Sequence, residues 1–273
     1  MATPVYVIIV SHDSSAVLAT CLNHLDKQTI AARQVIVVDC GSTDPSYLRQ
    51  LPEVEGLRLV SAENIGYGRG NNLGCQQLEG AGEGMVVFLN PDTFLPHDFL
   101  AQAVTVLTEN PGAGAISGKL LGYDHQAMKP TGRIDSTGIY RRWYGRWYDR
   151  GQGEKDRGQY DLIDSPPALC GALLCCRQKA LQPYGREVFD PDFFLYKEDI
   201  ELCLRLRRDG WGLVYDPRLV AFHCRGWGSR RSLMSHALRL TAAQSELLLC
   251  RKHPGPHILW AWSKYLLVRF FHL

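Results

Sequence analysis

The stretches VYVIIVSHD (residues 5–13) and QVIVVDCGSTD (residues 34–44) determine the fold that this sequence can adopt. Each begins as a continuous apolar run and ends in polar residues, and a helical pattern at residues 16–27 lies between them. Continuously apolar strands that alternate with helices are typical of a parallel sheet covered on both faces. We therefore predict an α/β fold with a mostly parallel sheet flanked by helices.

The same alternation continues to about residue 120 and then stops. Residues 57–60 and 84–89 are strand-like, with a helical pattern at 69–78. Residues 123–167 are instead rich in Gly, Asp, Arg and aromatic side chains, which indicates loops and a candidate hairpin. Regular patterns then return, and they predict a strand at 168–176, a helix at 197–209, a short strand at 212–216 and a helical tail at 233–273 with a break at 254–256.

Composition excludes several classes of protein. The chain has 273 residues, 45% of them hydrophobic, which is enough for a sizeable core and excludes disorder as the main state. Because 30 basic and 28 acidic residues leave a net charge of only +2, we expect no nucleic acid partner. The nine cysteines form no CxxC pair, and no signal-peptide pattern precedes the first apolar run. We therefore expect reduced cysteines and a cytoplasmic protein.

Polar residues follow three of the apolar strands at the point where each strand ends. They are SHD at residues 11–13, DCGS at 39–42 and NPD at 90–92. In open parallel sheets, ligands bind at the carboxyl ends of the strands. We expect the three clusters to converge on one crevice, with Ser11 and Asp13 among its binding residues.

Two features of residues 1–120 suit the binding of a nucleotide. Asp39 ends a strand in the turn VVDCGSTD, where its carboxylate can accept a hydrogen bond from a nucleobase N–H; a plain turn capped by Ser and Asp is the alternative. The segment NIGYGRGNNLG (residues 64–74) opens a helix, and the amides at a helix N-terminus favour phosphate. Its candidate contacts are Gly66, Arg69 and Asn72, although the segment lacks the Lys-Ser/Thr pair of a P-loop.

Asp92 and His223 form a candidate metal site. Asp92 comes shortly after the apolar run MVVFL, and His223 follows the run LVAF. Carboxylate oxygens suit Mg²⁺ and Mn²⁺, and an imidazole ligand moves the preference toward Mn²⁺. A plain Asn-Pro-Asp turn and a hydrogen-bonded core histidine are the alternatives.

The segment FDPDFFLYKEDIELCLR (residues 189–205) places two adjacent acids, Glu198 and Asp199, at the start of a predicted helix. Asp199 is the first candidate for a catalytic base, with Glu198 beside it. The preceding Phe193, Phe194 and Tyr196 would desolvate a carboxylate and raise its proton affinity. Acids in a first helical turn also complement the helix dipole, so a purely structural function stays open.

Six motifs follow one another along residues 5–229, and the segment around His223 completes the set. They are VIIVSHDS, VIVVDCGSTD, NIGYGRGNNLG, FLNPDT, CGALLCCRQKAL and FDPDFFLYKEDIELCLRLRRDGW. In this order the chain resembles family 2 inverting glycosyltransferases with the GT-A fold, most closely the bacterial rhamnosyltransferase-like branch. The resemblance implies a GT-A type, Rossmann-like sheet.

The domain organisation follows from this resemblance and from the patterns. We predict one glycosyltransferase domain over residues 1–230 and a C-terminal helical tail over 231–273. Within the domain, residues 1–120 form the nucleotide-binding half, and residues 121–230 form the acceptor-binding and catalytic half.

The resemblance also implies roles for individual residues. Asp39 would contact the base of the nucleotide sugar, and Asp92 would be the remaining acid of the family's metal-binding DxD turn. His223 would be an additional metal ligand, and Asp199 the base. Asn90 replaces the first acid of that DxD turn, which bears on how tightly metal is held without the nucleotide diphosphate.

The implied reaction transfers a sugar from a UDP- or dTDP-linked donor, with dTDP-rhamnose as a candidate. The acceptor would be a glycan or lipid-linked glycan in cell-surface polysaccharide synthesis. A divalent cation, Mn²⁺ or Mg²⁺, would neutralise the leaving diphosphate while the base takes a proton from the acceptor hydroxyl on the opposite face, which inverts the configuration. A nucleotide-sugar-binding module without turnover and a single-stranded RNA-binding protein are the alternatives.

Two basic segments are candidates for the acceptor or the diphosphate. In YRRWYGRWYDRG (residues 140–151), Trp143 and Trp147 suit stacking on a sugar ring, and the neighbouring arginines suit phosphates. In HCRGWGSRRS, Arg225 and Arg230 suit closure over the diphosphate. A solvated hairpin and a solvated basic loop are the respective alternatives.

The last segment, HILWAWSKYLLVRFFHL (residues 257–273), is apolar but contains Lys264 and Arg269. It is shorter than the roughly 20 apolar residues that a membrane span needs. One interpretation is an interfacial helix at the inner face of the plasma membrane. The other is a helix that packs against the catalytic domain or forms a homodimer contact.

Overall fold

The computed structural model describes residues 3–80, 82–224 and 234–271. Its strands are β1 (Val5–Ser11), β2 (Gln34–Cys40), β3 (Leu57–Ala62), β4 (Met85–Leu89), β5 (Thr93–Phe94), β6 (Ala113–Asp124), β7 (Lys129–Ser136), β8 (Ile139–Arg141), β9 (Trp147–Asp149), β10 (Leu173–Arg177) and β11 (Gly212–His223). Its α-helices are α1 (Leu18–Asp26), α2 (Tyr67–Cys75), α3 (Phe99–Glu109), α4 (Gln178–Leu181), α5 (Glu198–Arg208), α6 (His236–Lys252) and α7 (Ile258–Phe271). Short 3-10 helices lie at Pro45–Gln50 and Gln182–Tyr184.

Nine strands form one mixed sheet in the order β3-β2-β1-β4-β10-β6-β11-β5, and β7 pairs with β6. Strands β3, β2, β1 and β4 are mutually parallel, and β11 is parallel to β6. Strand β10 runs antiparallel between β4 and β6 and so joins the two parallel sets. Most paired residues therefore lie in parallel registers, as the sequence predicted. The remaining strands, β8 and β9, form a separate hairpin.

The strands of the first half are apolar because they are buried. Every residue of β1 and β4 is buried, as are six of the seven residues of β2. In the register, Ser11 lies beside Asp39 and Ile9 lies beside Leu89. The carboxyl ends of β1, β2 and β4 therefore meet at one edge, which confirms the predicted convergence of the three polar clusters.

Glycines let α2 approach this sheet closely. A Cβ at Gly70 would lie 2.9 Å from a Val10 methyl carbon, and one at Gly74 would lie 2.5 Å from Ile8 Cγ2. Contacts this short leave no room for a side chain. Two of the four glycines in residues 64–74 thus serve helix–sheet packing, which the sequence pattern alone did not indicate.

The second half differs more from the sequence prediction. Residues 123–167, predicted as loops and a candidate hairpin, contain β7 as well as the β8–β9 hairpin. Much of β7 is exposed and polar, which obscures the alternation typical of a strand. Conversely, the predicted strand at 168–176 begins only at Leu173. Ala168 forms an isolated bridge with Ile139, and Gly171 and Ala172 lie in a turn in which Leu173 N donates to Cys170 O.

The tail consists of α6 and α7, separated at the predicted break. Helix α6 contacts the segment before α5, since Ser245 Oγ donates to Leu195 O at 2.8 Å and Lys252 Nζ lies 2.7 Å from Asp190 Oδ2. Helix α7 packs on α6 through Ala261. Within the described ranges, none of the helices combines the length and the apolar character that a bilayer span requires.

Candidate active site

The first polar cluster surrounds the buried carboxylate of Asp39. Its Oδ1 accepts hydrogen bonds from Ser42 Oγ at 2.5 Å and from the Tyr47 hydroxyl at 3.3 Å. The Tyr47 hydroxyl also lies 2.8 Å from Ser11 Oγ. Asp13 has a φ of +50° and accepts a 2.7 Å hydrogen bond from Thr43 N. These contacts fix the orientation of a carboxylate at the end of β2.

The predicted phosphate contacts on α2 instead hold the acidic segment in place. Gly66, with a φ of +84°, lies so close to Phe194 that a Cβ would be 2.2 Å from Phe194 O. Arg69 Nε donates to Pro191 O at 2.8 Å. Asn72 is buried, and its amide both donates to Phe189 O at 2.7 Å and accepts from Phe189 N at 2.8 Å. All three residues therefore position the segment that precedes α5.

The end of β4 brings Asp92 to His223. Asn90 O accepts from Thr93 N at 3.1 Å, which closes the turn, and Asp92 O accepts from Cys224 N at 2.9 Å. The two strands β5 and β11 pair here, so that His223 Nε2 lies 3.2 Å from Asp92 Oδ1. The predicted metal ligands are thus adjacent, although they are far apart in the sequence.

Asp135 on β7 lies behind His223. Its Oδ2 is 2.7 Å from His223 Nδ1, and Asp135 is fully buried. Burial by itself lowers the pKa of His223, but the carboxylates of Asp92 and Asp135 outweigh it and raise that pKa to about 9. The carboxylate of Asp135 holds Nδ1 and thereby fixes Nε2 as the ring nitrogen that faces Asp92. Histidines that bind metals are commonly oriented in this way.

These residues fit a divalent cation that is also held by another ligand. A carboxylate oxygen and an oriented imidazole nitrogen are suitable donors for Mn²⁺. In the part of the chain that the structure describes, no group of three or more His, Cys, Asp or Glu side chains forms a complete metal site. A cation here would therefore need oxygens from a bound diphosphate.

Glu198 and Asp199 begin α5 but lie in different surroundings. Asp199 Oδ2 accepts from Gly171 N at 2.9 Å, and its Oδ1 accepts from Ile200 N at 2.8 Å. Glu198 is buried, and its Oε2 has no hydrogen-bond partner among the described residues. Burial and then the charge of Asp199 raise the pKa of Glu198 to about 8, while burial also raises the pKa of Asp199 against the effect of Gly171 N–H. The pair therefore favours a neutral Glu198 beside an ionised Asp199.

Residues Gly171 and Ala172 connect the two acidic groups. Gly171 N donates to Asp199, and Ala172 O accepts from Asn90 N at 2.9 Å. A Cβ at Gly171 would lie 2.9 Å from Asp199 Cβ, so that only glycine fits this approach. Asp199 thus lies beside the turn that carries Asp92, at the carboxyl end of β4.

The turn before α5 has an uncommon backbone. Tyr196 and Lys197 have φ values of +69° and +74°, in a region that non-glycine residues adopt at an energetic cost. Packing by α6 supports this turn, since Ser245 binds Leu195 O and Lys197 Nζ lies 4.0 Å from Glu246 Oε2. Strained turns of this kind are frequent at functional sites.

Two tryptophans of the β8–β9 hairpin were predicted to stack on a ligand, and only Trp143 is exposed. Trp143 is 88% exposed, whereas Trp147 is 6% exposed and stacks with the Arg141 guanidinium, 5.0 Å from the ring centre. Trp147 therefore packs inside the hairpin and is not a surface for stacking a ligand. Arg225 and Arg230 lie outside the described residues.

Sequence reasoning missed three contributors to the site: Tyr47, Asp135 and Gly171. Tyr47 follows Asp39 by eight residues, and a search for hydroxyls in the turn after β2 would have found it. Gly171 precedes the apolar run of β10, where an isolated glycine suggests a close backbone approach. Asp135 had no such signal, because its partner His223 is 88 residues away.

The arrangement combines three features: the Asp39 carboxylate at the end of β2, the candidate cation site at Asp92 and His223, and the Asp199 carboxylate held by Gly171 N. The family model described as "Glycosyltransferase like family 2" matches residues 3–245. The chain belongs to this glycosyltransferase family, and it is an inverting glycosyltransferase with the GT-A fold.

Two curated relatives carry more specific names. The chain is 26% identical over 264 residues to the N-acetylglucosaminyl-diphospho-decaprenol L-rhamnosyltransferase of Mycobacterium tuberculosis. This match covers 91% of this chain and 85% of the relative. It is also 26% identical over 254 residues to the rhamnosyltransferase WbbL of Escherichia coli, with 91% and 93% covered.

Solved structures share the fold at lower identity. The mannosyltransferase PcManGT of Pyrobaculum calidifontis, in complex with GDP-Man and Mn²⁺, is 21% identical with a TM-score of 0.61, covering 99% of this chain and 71% of that one. TarS of S. aureus in complex with UDP-GlcNAc is 15% identical with a TM-score of 0.59, covering 98% and 73%. These likenesses support the GT-A fold.

Proposed function

We propose that this enzyme transfers a sugar from a UDP- or dTDP-linked donor, with dTDP-rhamnose as the first candidate, to a lipid-linked glycan in cell-surface polysaccharide synthesis. The observation that carries the proposal is the turn at Gly171 and Ala172, which brings the Asp199 carboxylate beside the turn of Asn90 and Asp92. The names of the two rhamnosyltransferase relatives support the donor.

In this proposal Asp39 binds the nucleobase. Its buried carboxylate accepts the N3–H of uracil or thymine, and Ser42 and Tyr47 hold it in position. Guanine presents its N1–H and 2-amino group from a larger purine ring, and the proposal assigns this strand-end carboxylate to the smaller pyrimidine of UDP or dTDP. Ser11 and Asp13 line the same strand ends and complete the base-binding region.

Asp92 and His223 would hold Mn²⁺ or Mg²⁺ together with the donor diphosphate. When bound there, such a cation would supply positive charge against the leaving diphosphate. Because Asn90 supplies no second carboxylate, binding of the cation depends on the nucleotide. Asp135 keeps the imidazole nitrogen of His223 directed toward Asp92.

Asp199 acts in the proposal as the base that takes the proton of the acceptor hydroxyl. Two backbone N–H groups hold its oxygens, and the neutral Glu198 avoids a second negative charge beside it. Attack from the side opposite the diphosphate then inverts the anomeric configuration. The relative from Mycobacterium tuberculosis is named for a diphospho-decaprenol acceptor, which supports a lipid-linked acceptor on this side.

A donor-hydrolysis panel tests the proposal. The panel contains UDP-glucose, UDP-galactose, UDP-N-acetylglucosamine, dTDP-rhamnose and GDP-mannose, each with Mn²⁺, and the released nucleotide is measured. We expect dTDP-rhamnose to be hydrolysed fastest and GDP-mannose slowest. Preference for GDP-mannose would contradict the function of Asp39, and preference for a UDP-hexose would contradict the rhamnosyl donor alone. Stabilisation by a nucleotide without any turnover would favour a binding module.

A further inference from the structure

We propose that the outer face of α7, together with Trp143, docks on the surface of an anionic lipid bilayer. We define the outer face of α7 as Leu259, Trp262, Leu266, Leu267 and Phe270. The proposal rests on the proposed function in one respect, which is that a lipid-linked acceptor is presented at such a surface. The observations that carry it concern the packing and the charge of the tail.

Helix α7 places its large apolar side chains toward solvent. Leu259 is 74% exposed and Phe270 is 66% exposed, whereas the smaller Ala261 and Val268 are the residues that pack inward. The outer residues recur at intervals of three and four, which is the spacing of one helical face. A helix that only packed on its own domain would point this face inward, so an exposed stripe of this kind indicates an interaction surface.

The β8–β9 hairpin extends this surface beyond the helix. The ring of Tyr144 lies 4.9 Å from that of Trp260, and Gly145 contacts His257 at the start of α7. The neighbouring Trp143 is the most exposed of the large hydrophobic side chains in the described ranges. Tryptophan at the edge of an apolar surface is typical of the interface between lipid headgroups and acyl chains.

The charge of the tail favours anionic headgroups. Residues 234–271 contain five basic residues and one acidic residue, namely Arg239, Arg251, Lys252, Lys264 and Arg269 against Glu246. Lys264 pairs with the buried Glu246 at 2.7 Å and Lys252 pairs with Asp190 at 2.7 Å, so the charge argument rests on the arginines beside the outer face. Arg251 lies 5.8 Å from the ring of Trp262, and Arg269 is exposed beside the outer face. Basic residues that border an apolar helical face suit an anionic bilayer.

The same hairpin connects this surface to the proposed base. Ile139 N, at the start of β8, donates to Ala168 O at 2.8 Å, and three residues further on Gly171 N binds Asp199. Docking would therefore bring the acceptor side of the active site toward the bilayer. An acceptor with a lipid anchor would then reach Asp199 without leaving the membrane.

Vesicle flotation tests the proposal on the full chain. The vesicles contain either phosphatidylcholine alone or phosphatidylcholine with about one third phosphatidylglycerol. We expect the protein to float with the anionic vesicles, and the double variant Leu266→Glu/Phe270→Glu to bind at least about tenfold more weakly, because two carboxylates oppose insertion of the face. The matched control is Leu59→Glu/Met128→Glu, since Leu59 is 44% exposed like Leu266 and Met128 is 59% exposed. The control should float like the unmodified protein.

Several results would overturn the proposal. They are the absence of flotation with either vesicle, equal flotation with both, and flotation that Leu266→Glu/Phe270→Glu does not reduce. Light scattering could instead show a dimer that this double variant converts to a monomer. If the protein then had no affinity for vesicles, the face would be assigned to a second copy of the chain. Nucleotide binding and donor hydrolysis are measured alongside, and they should stay unchanged in both variants. A loss of membrane binding with intact hydrolysis therefore separates this proposal from the proposed function.

Discussion

The two halves of the sheet build their parts of the active site in different ways. In the first half of the chain, Asp39 takes its hydrogen bonds from Ser42 and Tyr47, which follow it by three and eight residues. In the second half, His223 is oriented by Asp135, 88 residues away, and Asp199 by Gly171, 28 residues away. The Asp39 carboxylate is thus held by residues of its own turn, whereas His223 and Asp199 are held by residues from other parts of the chain.

This difference predicts which property of the enzyme a substitution should change. A change in the first half alters one local carboxylate and its neighbours, so it should affect the recognition of the base. A change in the second half disturbs a residue that another part of the chain holds in position, so it should affect chemistry or metal binding. The following predictions test this contrast, from the largest expected effect to the smallest.

The largest effect is expected for Asp199→Asn. Loss of a general base lowers kcat by about 100-fold or more, while the affinity for the donor nucleotide stays close to that of the unmodified enzyme. Turnover with a suitable acceptor and calorimetric binding of UDP or dTDP measure the two quantities. The matched control is Asp192→Asn, an exposed carboxylate in the same segment, which should keep its activity. If Asp199→Asn retained most of its turnover, Asp199 would be a helix-terminal residue only.

The second prediction concerns Asp135→Asn. The amide no longer holds the His223 ring as the carboxylate does, and changes of this kind weaken metal binding by about 10- to 100-fold. Calorimetry with Mn²⁺ in the presence of saturating nucleotide measures this loss. Affinity for nucleotide without metal should not change, and Asp124→Asn, at the exposed end of β6, serves as the control. Equal Mn²⁺ affinity in the variant would mean that Asp135 has no influence on the site.

The third prediction tests the nucleotide-binding half. Asp39→Asn should weaken binding of UDP or dTDP by about tenfold or more, which is the scale of a lost hydrogen bond to a charged group. Binding of GDP should change much less, so that the selectivity for the base falls. Tyr47→Phe, which keeps the carboxylate, should have the smaller effect of the two. A uniform loss across all nucleotides would instead indicate that the turn after β2 had been distorted.

The smallest effect is expected for Glu198→Gln. Because its raised pKa keeps Glu198 protonated at neutral pH, the amide resembles the group already present, and turnover should stay within about twofold of the unmodified enzyme. A folded pKa above the ordinary value of 4.5 means that ionisation opposes folding. The stability that the protonated group provides therefore falls as the pH rises from about 4.5 toward 8. Glu198→Gln does not lose stability in this way, because glutamine does not ionise.

Thermal unfolding across this pH range checks the sign. The unfolding temperature of the unmodified protein, relative to Glu198→Gln, should decrease between pH 5 and pH 8, in the window set by the ordinary and raised pKa values. A constant difference would show that Glu198 has the same pKa in the folded and unfolded chain. Loss of turnover in Glu198→Gln would instead give Glu198 a part in the chemistry.

The sequence by itself determined which segments of the first half are buried strands, the positions of the polar clusters and the start of α5. These features follow from the apolar runs of buried parallel strands and from the residues directly after them, which are local properties. The pairing of Asp92 with His223 was also predicted, from the ligand preferences of divalent cations and from the family resemblance.

Only the tertiary structure decided the contacts that join distant segments. Asp135 became a partner of His223 because β7 pairs with β6, and β6 pairs with β11. Trp147 became a core residue and Trp143 an exposed one, although both belong to the same aromatic, basic segment. Likewise the pattern of α7 defines its faces, but packing against α6 decided that the more apolar one faces outward. A local pattern reveals which residues share a face, whereas the element that covers that face depends on contacts made across the whole chain.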